Sequence, residues 1–224
     1  MAPPRQRWRL VVSRSADAPR LAGRELSDAW EAAIDATGLP TYRPAGRTRG
    51  RVAFGASLPL GIAADRELVD IFMAEAVPLW RLRDALVGAL PDGWRLVDLF
   101  DVWVGSPPLA GRVTGADYRI ELAGEADPGA ISAAAQRLLA ATTLPRFRAK
   151  GESSVPYDLR PLLADVAVVE PGPPVVVRIR GLIHPALGTG RPDEVVGALG
   201  DQLGRPLEVR GIVRERLIVA DEHG

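Results

Sequence analysis

Hydrophobic and polar positions divide the chain into alternating strand and helix patterns. Over Arg7–Arg14, Trp8, Leu10 and Val12 alternate with Arg7, Arg9 and Val11, and this period of two predicts a strand with one buried face. Gly23–Thr37 places Leu26, Trp30, Ala33 and Ile34 at helical spacing, with Gly38 and Pro40 to close an amphipathic helix. Val52, Phe54 and Ala56 then share one side of a second strand, Leu58-Pro59-Leu60-Gly61 turns the chain, and Glu67–Ala76 reads as a third. Pro78 opens a helix that runs through Leu90, Pro91-Asp92-Gly93 ends it, and Trp94–Val104 supplies a fourth strand.

The same order recurs more weakly in the second half. Tyr118–Leu122 reads as a strand, Pro128–Thr142 as an alanine-rich helix, and Arg146–Lys150 as a short basic strand. Val175–Ile183, the helix Pro192–Leu203 and the extended segment Leu207–Val219 follow. The expectation is an α+β protein of two tandem ferredoxin-like (βαββαβ) units with antiparallel sheets. The first covers 1–108 and the second 109–224, with a seam in the Gly/Pro/Ser-rich stretch Gly105–Gly115.

At 224 residues, 47% hydrophobic and 25% charged, the chain has ordinary globular composition. Its longest run without a charged residue, Val52–Ala64, is 13 residues long. A bilayer needs about 20, so no membrane span is expected. Arg5, Arg7 and Arg9 are followed only by Leu10-Val11-Val12, which predicts no secretory leader and a cytoplasmic location. Zero cysteines exclude disulfides, thiolate catalysis and cysteine-held iron–sulfur clusters. The two histidines, His184 and His223, have no metal-ligand spacing, and no phosphate-loop or dinucleotide glycine pattern occurs. No metal and no organic cofactor is therefore expected, and no catalytic residue is assigned. His184 reads as a capping or surface histidine. Asp65, Glu67 and Asp70 read as a solvated edge, with Glu67 and Asp70 on opposite sides of their strand.

Net charge is zero, yet residues 1–55 hold ten arginines against five acids, and Ala36–Ala64 holds four arginines and no acid. Of the 28 basic residues only Lys150 is lysine. GC-rich codon usage accounts for that bias in general; an arginine surface selected for phosphate or carboxylate is the alternative. Two segments are candidates for anion binding. If extended, Arg47, Arg49 and Arg51 share one side, as do Arg146, Arg148 and Lys150. Each segment is expected where the second strand of its unit begins, so that the two form a composite cationic surface. Charged edge strands that resist aggregation explain the same residues without a ligand.

Several segments in order resemble the radical SAM-linked domain proteins, a bacterial family fused to, or encoded beside, radical SAM proteins. They are Trp30–Pro40, Tyr42 with the Gly46 loop, Arg51-Val-Ala-Phe-Gly55, Leu58-Pro-Leu-Gly61, Glu67-Leu-Val-Asp70, Ala89-Leu-Pro-Asp-Gly-Trp94 and Tyr157-Asp-Leu-Arg-Pro161. Tyr42, Gly46, Asp158 and Arg160 are the motif matches, and Asp158 with Arg160 reads as an internal ion pair. Two departures stand out. Gly23-Arg-Glu-Leu-Ser-Asp28 replaces a Ser-His-Leu-Asp segment, and Gly46-Arg-Thr-Arg-Gly50 replaces a Gly-Phe-Asn-Pro-His-Pro loop, so both familiar histidines are missing. The resemblance implies a non-catalytic accessory module that acts with a radical SAM enzyme encoded nearby and presents an RNA or other anionic substrate. The alternatives are a standalone RNA-binding or RNA-processing protein and a purely structural interaction domain.

Overall fold

The computed structural model describes residues 2–150 and 153–220, without the side chains of residues 149, 150 and 153. His223 lies outside the described residues. The fold is α+β, with antiparallel sheets and, among the described residues, four α-helices. The chain divides into two compact units, Met1–Val113 and Thr114–Gly224. Among the described residues, no helix is long and apolar enough to cross a membrane.

The first unit runs β1 (Gln6–Arg14), α1 (Gly23–Ala36), β2 (Val52–Phe54), β3 (Ala63–Met73), α2 (Leu79–Leu86) and β4 (Trp94–Val102). Its sheet has the order β4-β1-β3-β2, with every pairing antiparallel. Trp8, Leu10 and Val12 of β1 join Val69, Ile71 and Met73 of β3 under Trp30 and Ile34 of α1 and Leu82 and Leu86 of α2. Trp30 anchors this core edge-on, 5.9 Å from the Phe54 ring and 5.3 Å from Trp94.

The opposite face of β1 corrects the expectation of a single buried side, because Arg7 and Arg9 are buried too. Asp70 supplies the reason. Fully buried on β3, it accepts from Arg7 Nε (2.8 Å) and Nη2 (2.5 Å) and from Arg9 Nε (2.8 Å) and Nη2 (3.1 Å). Arg7 Nη1 also donates to the carbonyls of Ser106 and Pro107, which draws the following loop over it. Charges leave water here because each has an oppositely charged partner at hydrogen-bond distance. Asp65 is exposed as expected, but Glu67 and Asp70 are buried, so they are not a solvated edge.

The second unit contains β5 (Val113–Leu122), α3 (Pro128–Ala140), β6 (Pro145–Lys150), β7 (Ser153–Asp158), β8 (Leu163–Glu170), β9 (Val176–His184), β10 (Gly188–Thr189), α4 (Pro192–Leu203) and β11 (Val209–Val219). Its main sheet has the order β9-β5-β11, with β8 and β10 both paired to β9. Strands β6 and β7 pair only with each other. The basic segment Arg146–Lys150 is therefore one arm of a separate hairpin, and the second strand of the main sheet is β8. The two arginine segments consequently do not hold equivalent positions in their units.

Asp117 on β5 is the counterpart of Asp70. It accepts from Arg180 Nε (2.7 Å) and Nη2 (3.0 Å) on β9 and from Arg216 Nε (2.8 Å) on β11. Burial alone would raise its carboxyl, but these hydrogen bonds and the two positive charges outweigh that and hold it below the ordinary value of 3.8.

Candidate functional site

The arginine loop between α1 and β2 is not extended along its length. Arg47 N donates to Pro44 O at 3.0 Å, and Gly46 at the third position has φ +76°, which glycine adopts without steric cost. Tyr42 binds the sheet through its backbone: its N–H donates to Phe72 O (2.7 Å) and its carbonyl accepts from Arg51 N (2.9 Å). The turn between these two points separates the three arginines. Arg47 reaches back to Glu31 of α1 (2.5 Å), and Arg49 Nη1 donates to Asp28 O (3.0 Å). Arg51 instead lies over the Phe72 ring at 4.4 Å, and so leaves the side shared by the other two.

Arg47 and Arg49 line a polar recess of about 710 Å³ together with Arg24, Ser27, Asp28 and Glu31 of α1 and Gly46 and Thr48 of the loop. The segments Gly23–Asp28 and Gly46–Gly50 thus face each other across one opening. Arg24 was not singled out from sequence; its side chain is 93% exposed and sits 3.8 Å from Asp28.

A second cavity, of about 510 Å³, adjoins the recess, and Ser27 lines both. Its apolar walls are Leu26, Phe54, Leu58 and Trp94, and buried Glu67 lines it as well. Nearby Arg14 binds the carbonyls of Ile62 (2.8 Å), Pro19 (3.0 Å) and Ala18 (3.4 Å), tying together the loops on either side. Burial lowers Arg14 from its ordinary value, and the Glu67 charge works in the opposite direction. Segments 51–55, 58–61, 67–70 and 89–94, quoted above for the family resemblance, all contribute to this cavity or flank it.

In the basic arm of the second unit, Arg146 is neutralised. Arg146 sits between Glu194 (3.2 Å) and Asp201 of α4, which fastens the hairpin to that helix. Burial opposes its charge, but both carboxylates raise it above the ordinary value. Arg148 lies 5.1 Å over the Tyr157 ring and donates to Leu187 O at 3.4 Å. The Lys150 side chain is outside the described residues.

Asp158 and Arg160 do not pair among the described residues; both bind main chain. Asp158 accepts from Leu144 N (2.7 Å) and Arg160 N (2.9 Å), closing the base of the hairpin. Arg160 donates to Leu139 O (2.8 Å), Ala141 O (3.2 Å) and Leu163 O (2.7 Å), capping the end of α3. His184 Nδ1 accepts from Ala186 N and Leu187 N at 3.2 Å, which makes it a turn-capping residue. Among the described residues, no group of three or more His, Cys, Asp or Glu is placed to hold a metal ion.

Fold and site together define a two-unit α+β protein whose first unit carries a cationic recess opening beside an apolar cavity. The chain belongs to a bacterial family described as "Uncharacterized protein conserved in bacteria (DUF2344)", which matches residues 7–191. No curated protein matches it. Among solved structures, a chain in the crystal structure of a Cbf5-Nop10-Gar1 complex is similar at 11% identity and a TM-score of 0.49. That match covers 95% of this chain and 51% of the other, so the chain spans about half the length of that structure.

Proposed function

We propose that the protein is a non-catalytic accessory module that holds an anionic substrate for a radical SAM enzyme. The observation that carries this reading is the recess lined by Arg24, Arg47 and Arg49, whose loop falls in a stretch with four arginines and no acid. Guanidinium groups suit phosphate and carboxylate because their fork of N–H donors matches two oxygens at once. The radical SAM partner rests on the resemblance of the motif segments, and the absence of cysteine fits a chain that leaves cluster chemistry to another protein. The strand order of each unit supports reading the pair as tandem ferredoxin-like units, the second with the β6–β7 hairpin inserted.

Two measurements test the proposal. The gene neighbourhood should hold a radical SAM protein with a three-cysteine motif, and a neighbourhood without one overturns the partner. For the anion, a single-stranded RNA oligonucleotide is titrated at several salt concentrations against wild type and the Arg24→Ala/Arg47→Ala/Arg49→Ala variant. Each neutralised phosphate contributes about 0.7 to the salt slope of a single strand, so losing three contacts should flatten it by roughly 2. Equal affinity and slope in the two proteins would remove the loop from the binding surface. If the variant loses no affinity for RNA and none for inorganic phosphate, the anion reading fails.

A further inference from the structure

We propose that the first unit binds a small amphiphilic anion: a ligand with a ring-sized apolar body in the Phe54–Trp94 cavity and a phosphate or carboxylate on Arg24 and Arg49. This deepens the anion reading and rests on it. Both openings lie in the size range of small-ligand sites, about 300–1,000 Å³. Ser27 lines both, so the two spaces lie side by side along α1, within the span of one bipartite ligand.

The chemistry also fixes the ligand's orientation. Leu26, Phe54, Leu58 and Trp94 offer apolar and aromatic surface to the inner part. No cation lines the inner cavity, whose one charged lining residue is Glu67, whereas the recess is lined by three arginines. The anionic end therefore stays at the outer recess. Of the three arginines there, Arg47 is held by Glu31 at 2.5 Å, whereas Arg24 is almost fully exposed with only a loose 3.8 Å pairing to Asp28, and Arg49 uses one nitrogen on a main-chain carbonyl.

Calorimetric titration with 1-naphthyl phosphate, inorganic phosphate and 1-naphthol tests this. The aryl phosphate should bind at least tenfold more tightly than either fragment. Arg24→Ala/Arg49→Ala, which changes only exposed side chains, should weaken it about tenfold and leave 1-naphthol unaffected. Ser27→Trp, which puts a bulky ring at the residue common to both spaces, should abolish aryl phosphate binding. Phosphate binding as tightly as the aryl phosphate overturns the apolar half, and an unaffected Arg24/Arg49 variant overturns the anionic half. If the aryl phosphate fails to bind while RNA still binds with an arginine-dependent salt slope, the bipartite site is wrong and the broader anion reading survives. If no anion binds, both fall.

Discussion

Replacing Asp70 with alanine should be among the most damaging single changes in the first unit. The carboxylate is fully buried and accepts four hydrogen bonds, two from each of two buried arginines. Its loss falls unequally on them. Arg7 keeps the carbonyls of Ser106 and Pro107 and its position 5.6 Å over the Phe72 ring, whereas both bonds of Arg9 end on Asp70. Breaking a buried ion pair by removing one partner costs about 3–5 kcal/mol. Set against a typical stability of about 5–15 kcal/mol, that is enough to unfold much of the population. The mechanism also demands a reversal of sign. Arg9→Met should destabilise the wild type, where Asp70 loses a partner, but should restore more than about 1 kcal/mol in the Asp70→Ala background, where it removes the stranded charge. All five tryptophans (Trp8, Trp30, Trp80, Trp94 and Trp103) lie in this unit, so tryptophan fluorescence in a urea titration reports on it selectively. A loss below about 1 kcal/mol, the worth of an exposed ion pair, would refute the reasoning, as would an Arg9→Met change that destabilises both backgrounds equally.

In the second unit, Asp117 has its carboxyl held low by Arg180 and Arg216, so its contribution is fully present above the ordinary carboxylate value and is lost as pH falls through the lower folded one. Asp117→Asn should therefore be less stable than wild type at pH 7, with the gap narrowing below about pH 4 by far-UV circular dichroism; a gap constant down to pH 2 would contradict this. Gly93 has φ +78°, and a Cβ there would lie within 2.7 Å of the Ala18 backbone. Gly93→Ala should cost more than about 1 kcal/mol in the tryptophan-monitored transition, and a neutral result would mean that the turn relaxes freely.

What was legible in the sequence follows from how local each signal is. Helix α4 begins at Pro192 and ends at Leu203 as its periodicity predicts, because Pro at the start and Gly204 at the end are local instructions. Strand β8 was missed because the first extended segment after α3 belongs to the inserted hairpin, and Leu163-Ala-Asp-Val-Ala-Val-Val-Glu170 lacks strict alternation. The burial of Asp70 was illegible because the arginines that permit it come from β1, more than sixty positions earlier in the chain. The candidate site was half visible. The loop arginines stood out by composition, but the union of Arg24 with Arg49 depends on the register of α1 against the Pro44–Arg47 turn, a tertiary fact.

The two charge clusters use opposite polarity; all three members of the first are buried, whereas in the second only Asp117 is, with Arg180 and Arg216 reaching the surface. In the first unit β1 supplies the arginines and β3 the acid, with Arg9 directly opposite Asp70 in the ladder. In the second unit β5 supplies the acid, and β9 and β11 the arginines, with Asp117 directly opposite Arg180. Each cluster lies on the side of its strand opposite the core residues, Trp8, Leu10 and Val12 in one case and Tyr118, Ile120 and Leu122 in the other. A strand's side chains alternate between faces, so a slip of one residue would turn Arg9 or Asp117 into the apolar layer, away from its partners. Apolar residues in those positions would hold the strands as firmly, yet would not distinguish one register from the next. The paired charges therefore act on the choice of register as much as on its stability, and the Asp70 cluster fixes β3, the strand that carries Glu67 of the cavity wall.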